Sequence, residues 1–194
     1  MRSLLALFLA LFLTLPAAAQ TGNPAEQFVS GNIRAGLAIL NDTSLDTATR
    51  SSRFEAFLLE NTDLARIALF TLGNATATPA QREGFVAAFR DYATATYRSY
   101  FRNYNGQSLR VTGSRQNAPG DTVVRTELTD GANMLAVDFR VRTDGAKPVV
   151  IDIGIAGVWL ALTQRDDFAA FLARNKGDVG ALTAYLGEKA KILR

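Results

Sequence analysis

Apolar positions recur at helical spacing over the first half of the chain and alternate with polar ones over much of the second half. Asn23-Pro24-Ala25-Glu26 places a cap, a first-turn proline and an acid in order, so a first helix is predicted from there to about Leu40. A second helix is predicted from about Thr47 to Glu60, and a short third one from Asp63 to Gly73-Asn74, where glycine stops it. Thr78-Pro79-Ala80-Gln81 opens a long fourth helix that is predicted to end at Asn105-Gly106. Four strands are predicted over Ser108–Arg115, Asp121–Thr129, Asn133–Arg142 and Lys147–Ile155. Asn117-Ala118-Pro119-Gly120, Asp130-Gly131 and Asp144-Gly145 separate them, and such short connections imply an antiparallel meander. After Gly154 and Gly157 a helix restarts behind Thr163, and Gly177-Asp178 splits it from a last helix.

Leu135, Val137, Phe139 and Val141 share one strand face, and Asp138, Arg140 and Arg142 share the other. Val149, Ile151, Ile153 and Ile155 are expected on one face of the last strand. The sheet therefore has an apolar side that helices must cover. On the long helix, Phe85, Phe89, Tyr92, Tyr97, Tyr100, Phe101 and Tyr104 span a wide apolar arc. Two readings fit that arc. One is an ordinary core. The other is an apolar cavity with tyrosine hydroxyls near its mouth.

The amino terminus adds a compartment. Met1 and Arg2 form a short positive segment, Leu4 to Leu15 is apolar and uncharged, and Pro16 precedes Ala17-Ala18-Ala19. This is the pattern of a secretory signal peptide over residues 1–19, too short for an ordinary spanning helix. With no cysteine after it, no lipoprotein anchor is expected, and residues 20–194 are expected to form one exported, soluble domain.

Composition removes several chemistries. The 194 residues contain no cysteine and no histidine, so disulfides, Ser-His or Cys-His nucleophilic catalysis and most zinc sites are excluded. The net charge of +3 is scattered, with no basic run of the kind nucleic acid needs. No metal site, cofactor or phosphate-binding glycine loop is expected.

Asp152, Gly157, Val158, Leu160, Arg165 and Phe168 form a strand end, a Gly-Val-x-Leu step and an Arg-x-x-Phe helix start. Upstream, Asp63-Leu64-Ala65-Arg66-Ile67-Ala68 precedes Leu72-Gly73. Phe85, Phe89, Tyr97 and Tyr104-x-Gly106 mark the long helix, and Asp178-Val179-Gly180-Ala181-Leu182 leads to Leu186. In this order the motifs resemble the MlaC family of periplasmic phospholipid carriers, from about Phe54 to Leu186. The chain departs from the family pattern at Asn74-Ala75-Thr76, where a tryptophan is usual, and at Trp159, where serine is common.

The resemblance implies an α+β fold: a four-stranded curved sheet with helices on its concave apolar face, an NTF2-like cone plus additional helices around a lipid cavity. The expected lining is Ile67, Phe70, Phe85, Phe89, Tyr92, Tyr97, Tyr100, Leu135, Val137, Phe139, Ile151, Ile153, Val158, Trp159, Leu160 and Phe168. The resemblance also implies a monomeric, non-catalytic carrier. Its partners would be a phospholipid, the lipid-binding ring protein of an inner-membrane ABC transporter and an outer-membrane lipoprotein–porin complex. Trp159 would either cap the cavity mouth or sit in the core.

Alternatives remain open at this level. The cargo could be a hopanoid-like lipid. An NTF2-like isomerase or dehydratase would use Asp152 with Tyr97 or Tyr100 in the cavity. If Ile151 and Ile153 face inward, Asp152 faces outward and is expected to pair with Arg140 or a neighbouring cation. A polar-nutrient binding protein is disfavoured by the lack of two hinged domains. Arg165 sits in a first helical turn, where a cation gains nothing from the dipole, and is expected to be structural.

Overall fold

The computed structural model describes residues 23–101 and 104–193, so the expected signal peptide lies outside the described residues. Helices α1 (Pro24–Leu40), α2 (Thr47–Asn61), α3 (Leu64–Leu72) and α4 (Pro79–Phe101) come first. Strands β1 (Ser108–Ala118), β2 (Asp121–Asp130), β3 (Asn133–Arg142), β4 (Val149–Ile155) and β5 (Val158–Trp159) follow, then α5 (Leu160–Arg174) and α6 (Val179–Leu193). The fold is α+β, with an open antiparallel sheet in the order β1-β2-β3-β4-β5.

The helix starts follow their caps. Asn23 Oδ1 accepts the amide of Ala25 at 2.9 Å, and Asp46 and Asp63 cap α2 and α3 at Thr49 and Arg66. At α4, Thr78 Oγ1 accepts the Gln81 amide and Gln81 Oε1 accepts the Thr78 amide, a reciprocal capping box.

Two expectations about the strand end are corrected. The sheet has five strands rather than four, because Ala156-Gly157 closes a two-residue hairpin between β4 and β5. Both turn residues have positive φ (50° and 82°), the geometry of the tight turns that match strand twist. The helix after it starts at Leu160, not behind Thr163. Trp159, at its capping position, offers no side-chain cap. Asp152 of β4 supplies one instead, its Oδ1 accepting the amides of Ile153 and Ala161.

Most of the buried apolar residues form two clusters. The larger joins α3, α4, α5 and α6 around Phe85, Phe89, Phe168, Leu182 and Leu186. Phe168 meets Phe85 and Phe89 edge-on, at 87° and 89°, an arrangement aromatic quadrupoles favour. The smaller cluster joins α1 to the sheet through Ala25, Val29, Val124 and Val141. Of the two readings of the long helix's arc, the ordinary core holds for Phe85 and Phe89. α1 packs on the apolar side of the sheet, and most of α4 packs against α6 and α3. Helical amphipathicity states that a face is buried but not which element buries it.

The pairing of β3 with β4 shifts between Arg140–Asp152 and Val141–Val150, leaving Ile151 as the extra residue of a bulge. Strict alternation therefore fails in β4. Val150 and Ile153, not Ile151 and Ile153, face the same side as Val141 and Phe139.

Candidate functional site

Between α1, α2 and the sheet lies a cavity of about 500 Å³. On α1, Val29, Ile33, Gly36, Leu37 and Leu40 fall on one face at helical spacing. Phe54, Phe57, Leu58 and Asn61 of α2 face them. The sheet contributes Leu109, Leu128, Val137, Phe139, Val150 and Ile153. Gly36 lets the helices approach closely: a Cβ there would stand 3.2 Å from a Phe57 ring carbon and 3.3 Å from one of Phe54.

One end is closed by the α2–α3 junction, where the Asp63 amide donates to the Val150 carbonyl at 3.0 Å and Thr62 bridges to Val150. At the other end the rim is polar and largely committed. Tyr104 Oη donates to Asn41 Oδ1 at 3.2 Å, and Gln107 Nε2 lies 3.4 Å from Asp130 Oδ2. No metal-ligating cluster occurs among the described residues.

Of the residues expected to line the site, Tyr97, Val137, Phe139 and Ile153 meet at this cavity. The others do not line it. Ile67, Phe85, Phe89, Tyr92 and Phe168 pack in the helical core. Phe70 is exposed, with the Arg165 guanidinium 5.4 Å from its ring centre. Leu135 sits on the cavity side of β3 but beyond the cavity, and Val158 and Leu160 are also exposed. Ile151 is displaced by the bulge. The Tyr100 side chain lies outside the described ones. Trp159 neither caps the mouth nor fills the core. It pairs with Gly154, next to Ile153 in the strand and therefore on the opposite face, and its ring covers the glycine.

Most of the α1 and α2 lining was missed in sequence, although the i, i+4, i+7, i+8, i+11 pattern from Val29 to Leu40 was legible. That stripe reads as core until the sheet opposite it is placed.

Asp152 lies on the face away from the cavity and is buried under α5. It does not pair with Arg140 as expected. Arg140 chelates Asp121, with Nε 3.0 Å from Oδ1 and Nη2 2.5 Å from Oδ2. Burial raises the pKa of Asp152 above the ordinary carboxylate value, against the Ala161 and Ile153 amides and the Arg140 charge, which lower it. Asp152 and Tyr97 thus stand on opposite sides of the sheet and do not form a shared acid–base site.

Residues 32–188 match the family described as MlaC protein. The chain belongs to the MlaC family. The match runs from Asn32 on α1 to Glu188 on α6, and so takes in all of α2 and the sheet. A solved structure of the phospholipid-binding protein from Ralstonia solanacearum, in complex with a phospholipid, is similar to this MlaC chain with a TM-score of 0.77. The two are 26% identical, over 88% of this chain and 99% of that one.

Proposed function

We propose that this protein is a periplasmic carrier that holds phospholipid acyl tails in the cavity between α1, α2 and the sheet. The observation that carries the reading is the cavity itself, walled by aliphatic and phenyl side chains on both helices and on the sheet. MlaC membership and the phospholipid in the Ralstonia solanacearum protein support it. We read the open sheet with α1 laid across it as a half-open cone of the NTF2 type. Tyr97, Val137, Phe139 and Ile153 are the residues we assign to the tails.

The energetics favour a sheltered route. A two-tailed lipid exposes on the order of thirty chain carbons, each costing about 0.8 kcal/mol in water. A cavity that shelters the tails much as a bilayer does makes transfer near neutral, so no energy source is needed within the carrier. The proposed route runs between an outer-membrane lipoprotein–porin complex and the ring protein of an inner-membrane ABC transporter, with the chain exported as a single monomeric domain. Asp152 is committed to starting α5, and the reading is a binding protein rather than an enzyme.

Protein purified without detergent is expected to yield phospholipid on organic extraction and mass spectrometry, and to accept labelled lipid from vesicles once stripped. A folded protein that carries no lipid and accepts none would overturn the carrier reading.

A further inference from the structure

A second cavity of about 550 Å³ adjoins the first. The two share Leu40, Phe54, Leu58, Thr62, Tyr97 and Tyr104, so they are continuous past one wall of side chains. The lining chemistry changes across that wall. The second cavity runs along α2 from Thr47 to Leu59 and against the last turns of α4, and among its apolar lining presents Arg50 and Arg98 with one carboxylate, Glu55. Glu55 is engaged by Arg98. Arg50 has no ion pair among the described residues, and its guanidinium donates to the backbone carbonyl of Asp42 at 3.3 Å. Its charge acts on the Asp42 carboxylate, but none of its donors makes an ion pair with a carboxylate among the described residues. Thr47 and Ser51 add hydroxyls beside it.

Helix stability does not explain Arg50. It stands in the opening turns of α2, behind the capping residue Asp46, where the helix dipole opposes a cation. The Asp46 carboxylate already takes that dipole end through the Thr49 amide and hydroxyl, so the positive character of the groove comes from Arg50 and Arg98. An apolar cavity that opens into a cationic, hydroxyl-lined groove has the two-part character of an amphiphile whose tails end in a phosphate.

We infer that the groove at Arg50 is an anion subsite for the phosphodiester of the bound lipid, so that the protein selects phospholipid over a neutral lipid with the same tails. This rests on the carrier reading above. Arg50 is the specificity-determining contact, forming charge-assisted hydrogen bonds to non-bridging phosphate oxygens. Arg98 adds charge to the groove but stays held by Glu55.

The test offers stripped protein vesicles containing phosphatidylglycerol and diacylglycerol of identical acyl chains in equal amounts, and counts both lipids retained by mass spectrometry. Wild type is expected to retain the phospholipid in about tenfold excess, the effect of roughly one charge-assisted hydrogen bond. Arg50→Gln brings the ratio near one, and Arg50→Lys keeps most of the preference. Arg53→Gln, on the same helix but outside the groove, leaves the ratio unchanged. Far-UV circular dichroism verifies that each variant is folded. Equal retention of the two lipids by wild type overturns the subsite while the carrier reading stands. Retention of neither sinks the carrier reading itself. Inorganic phosphate is titrated calorimetrically into stripped protein in parallel. Binding heat that Arg50→Gln abolishes, with a lipid ratio near one, would assign the groove to free phosphate and overturn the headgroup assignment.

Discussion

Asp152 Oδ1 lies 3.0 Å from the amide of Ala161, so a carboxylate in β4 starts the helix that follows the next hairpin. The bond joins sheet to helix across nine residues. Asp152→Ala removes the acceptor from one buried and one part-buried amide and is expected to cost about 1 to 2 kcal/mol, read from urea unfolding. Asp152→Asn keeps an acceptor oxygen and is expected to stay close to wild type in stability and lipid transfer. Because burial raises the folded pKa, the contribution of Asp152 is greatest below the unfolded value of about 3.9 and declines as pH rises through the folded pKa. The stability of wild type relative to Asp152→Asn should therefore fall as pH rises above about 4. A flat difference would show that the carboxylate is not desolvated.

The ion pair on the same face has the opposite sign. Hydrogen bonding to Arg140 holds the Asp121 pKa below its ordinary value. Its stabilisation is present above the unfolded value of about 3.9 and is lost as pH falls through the folded pKa. Asp121→Asn is expected to lose about 1 kcal/mol at neutral pH, a deficit that closes in acid. Denaturant midpoints at several pH values read both effects.

Val137 and Ile153 meet the cavity from adjacent strands. Val137→Asp and Ile153→Trp are expected to lower lipid content several-fold, the first through an unpaired charge costing several kcal/mol, the second by filling space. Extracted lipid per mole of folded protein is the measurement. Unchanged lipid content in both would move the tails elsewhere.

Phe85 is fully buried against Phe168 in the helical core and does not line the cavity. Phe85→Ala is expected to destabilise by about 3 to 5 kcal/mol while the remaining folded protein carries its usual lipid. Thermal melting and lipid extraction on one preparation separate the two quantities.

Trp159 covers Gly154 on the side of the sheet away from the cavity. Its fluorescence is expected to stay constant when lipid is stripped and restored. A shift in emission with a constant far-UV signal would place the ring in contact with cargo. Gly154→Ala puts a methyl 3.3 Å from the indole and is expected to perturb the same emission.

Helix starts, the two-residue hairpin at Gly131 and the meander were legible because each depends on a few neighbouring residues: Asn23, Thr78 with Gln81, and the glycine. Family resemblance supplied the class. Partners distant in sequence were not legible. The Phe85 and Phe89 arc is as apolar as a cavity wall would be, and only the placement of α6 makes it core. The bulge at Ile151 shifts the inward face by one residue, which no alternation rule registers in advance. The start of α5 escaped notice because its cap stands in β4, eight residues before Leu160.

The two buried clusters have no member in common, and the cavity borders the smaller one. The larger cluster lies in α3 to α6, while the cavity we assign to the lipid tails is walled by α1, α2 and the sheet. Substitutions at Ile33, Leu37 or Phe57 can therefore accumulate without eroding the helical scaffold. In the carrier reading, the lipid preferred can be altered by substitutions around the cavity while the helical core is left as it is.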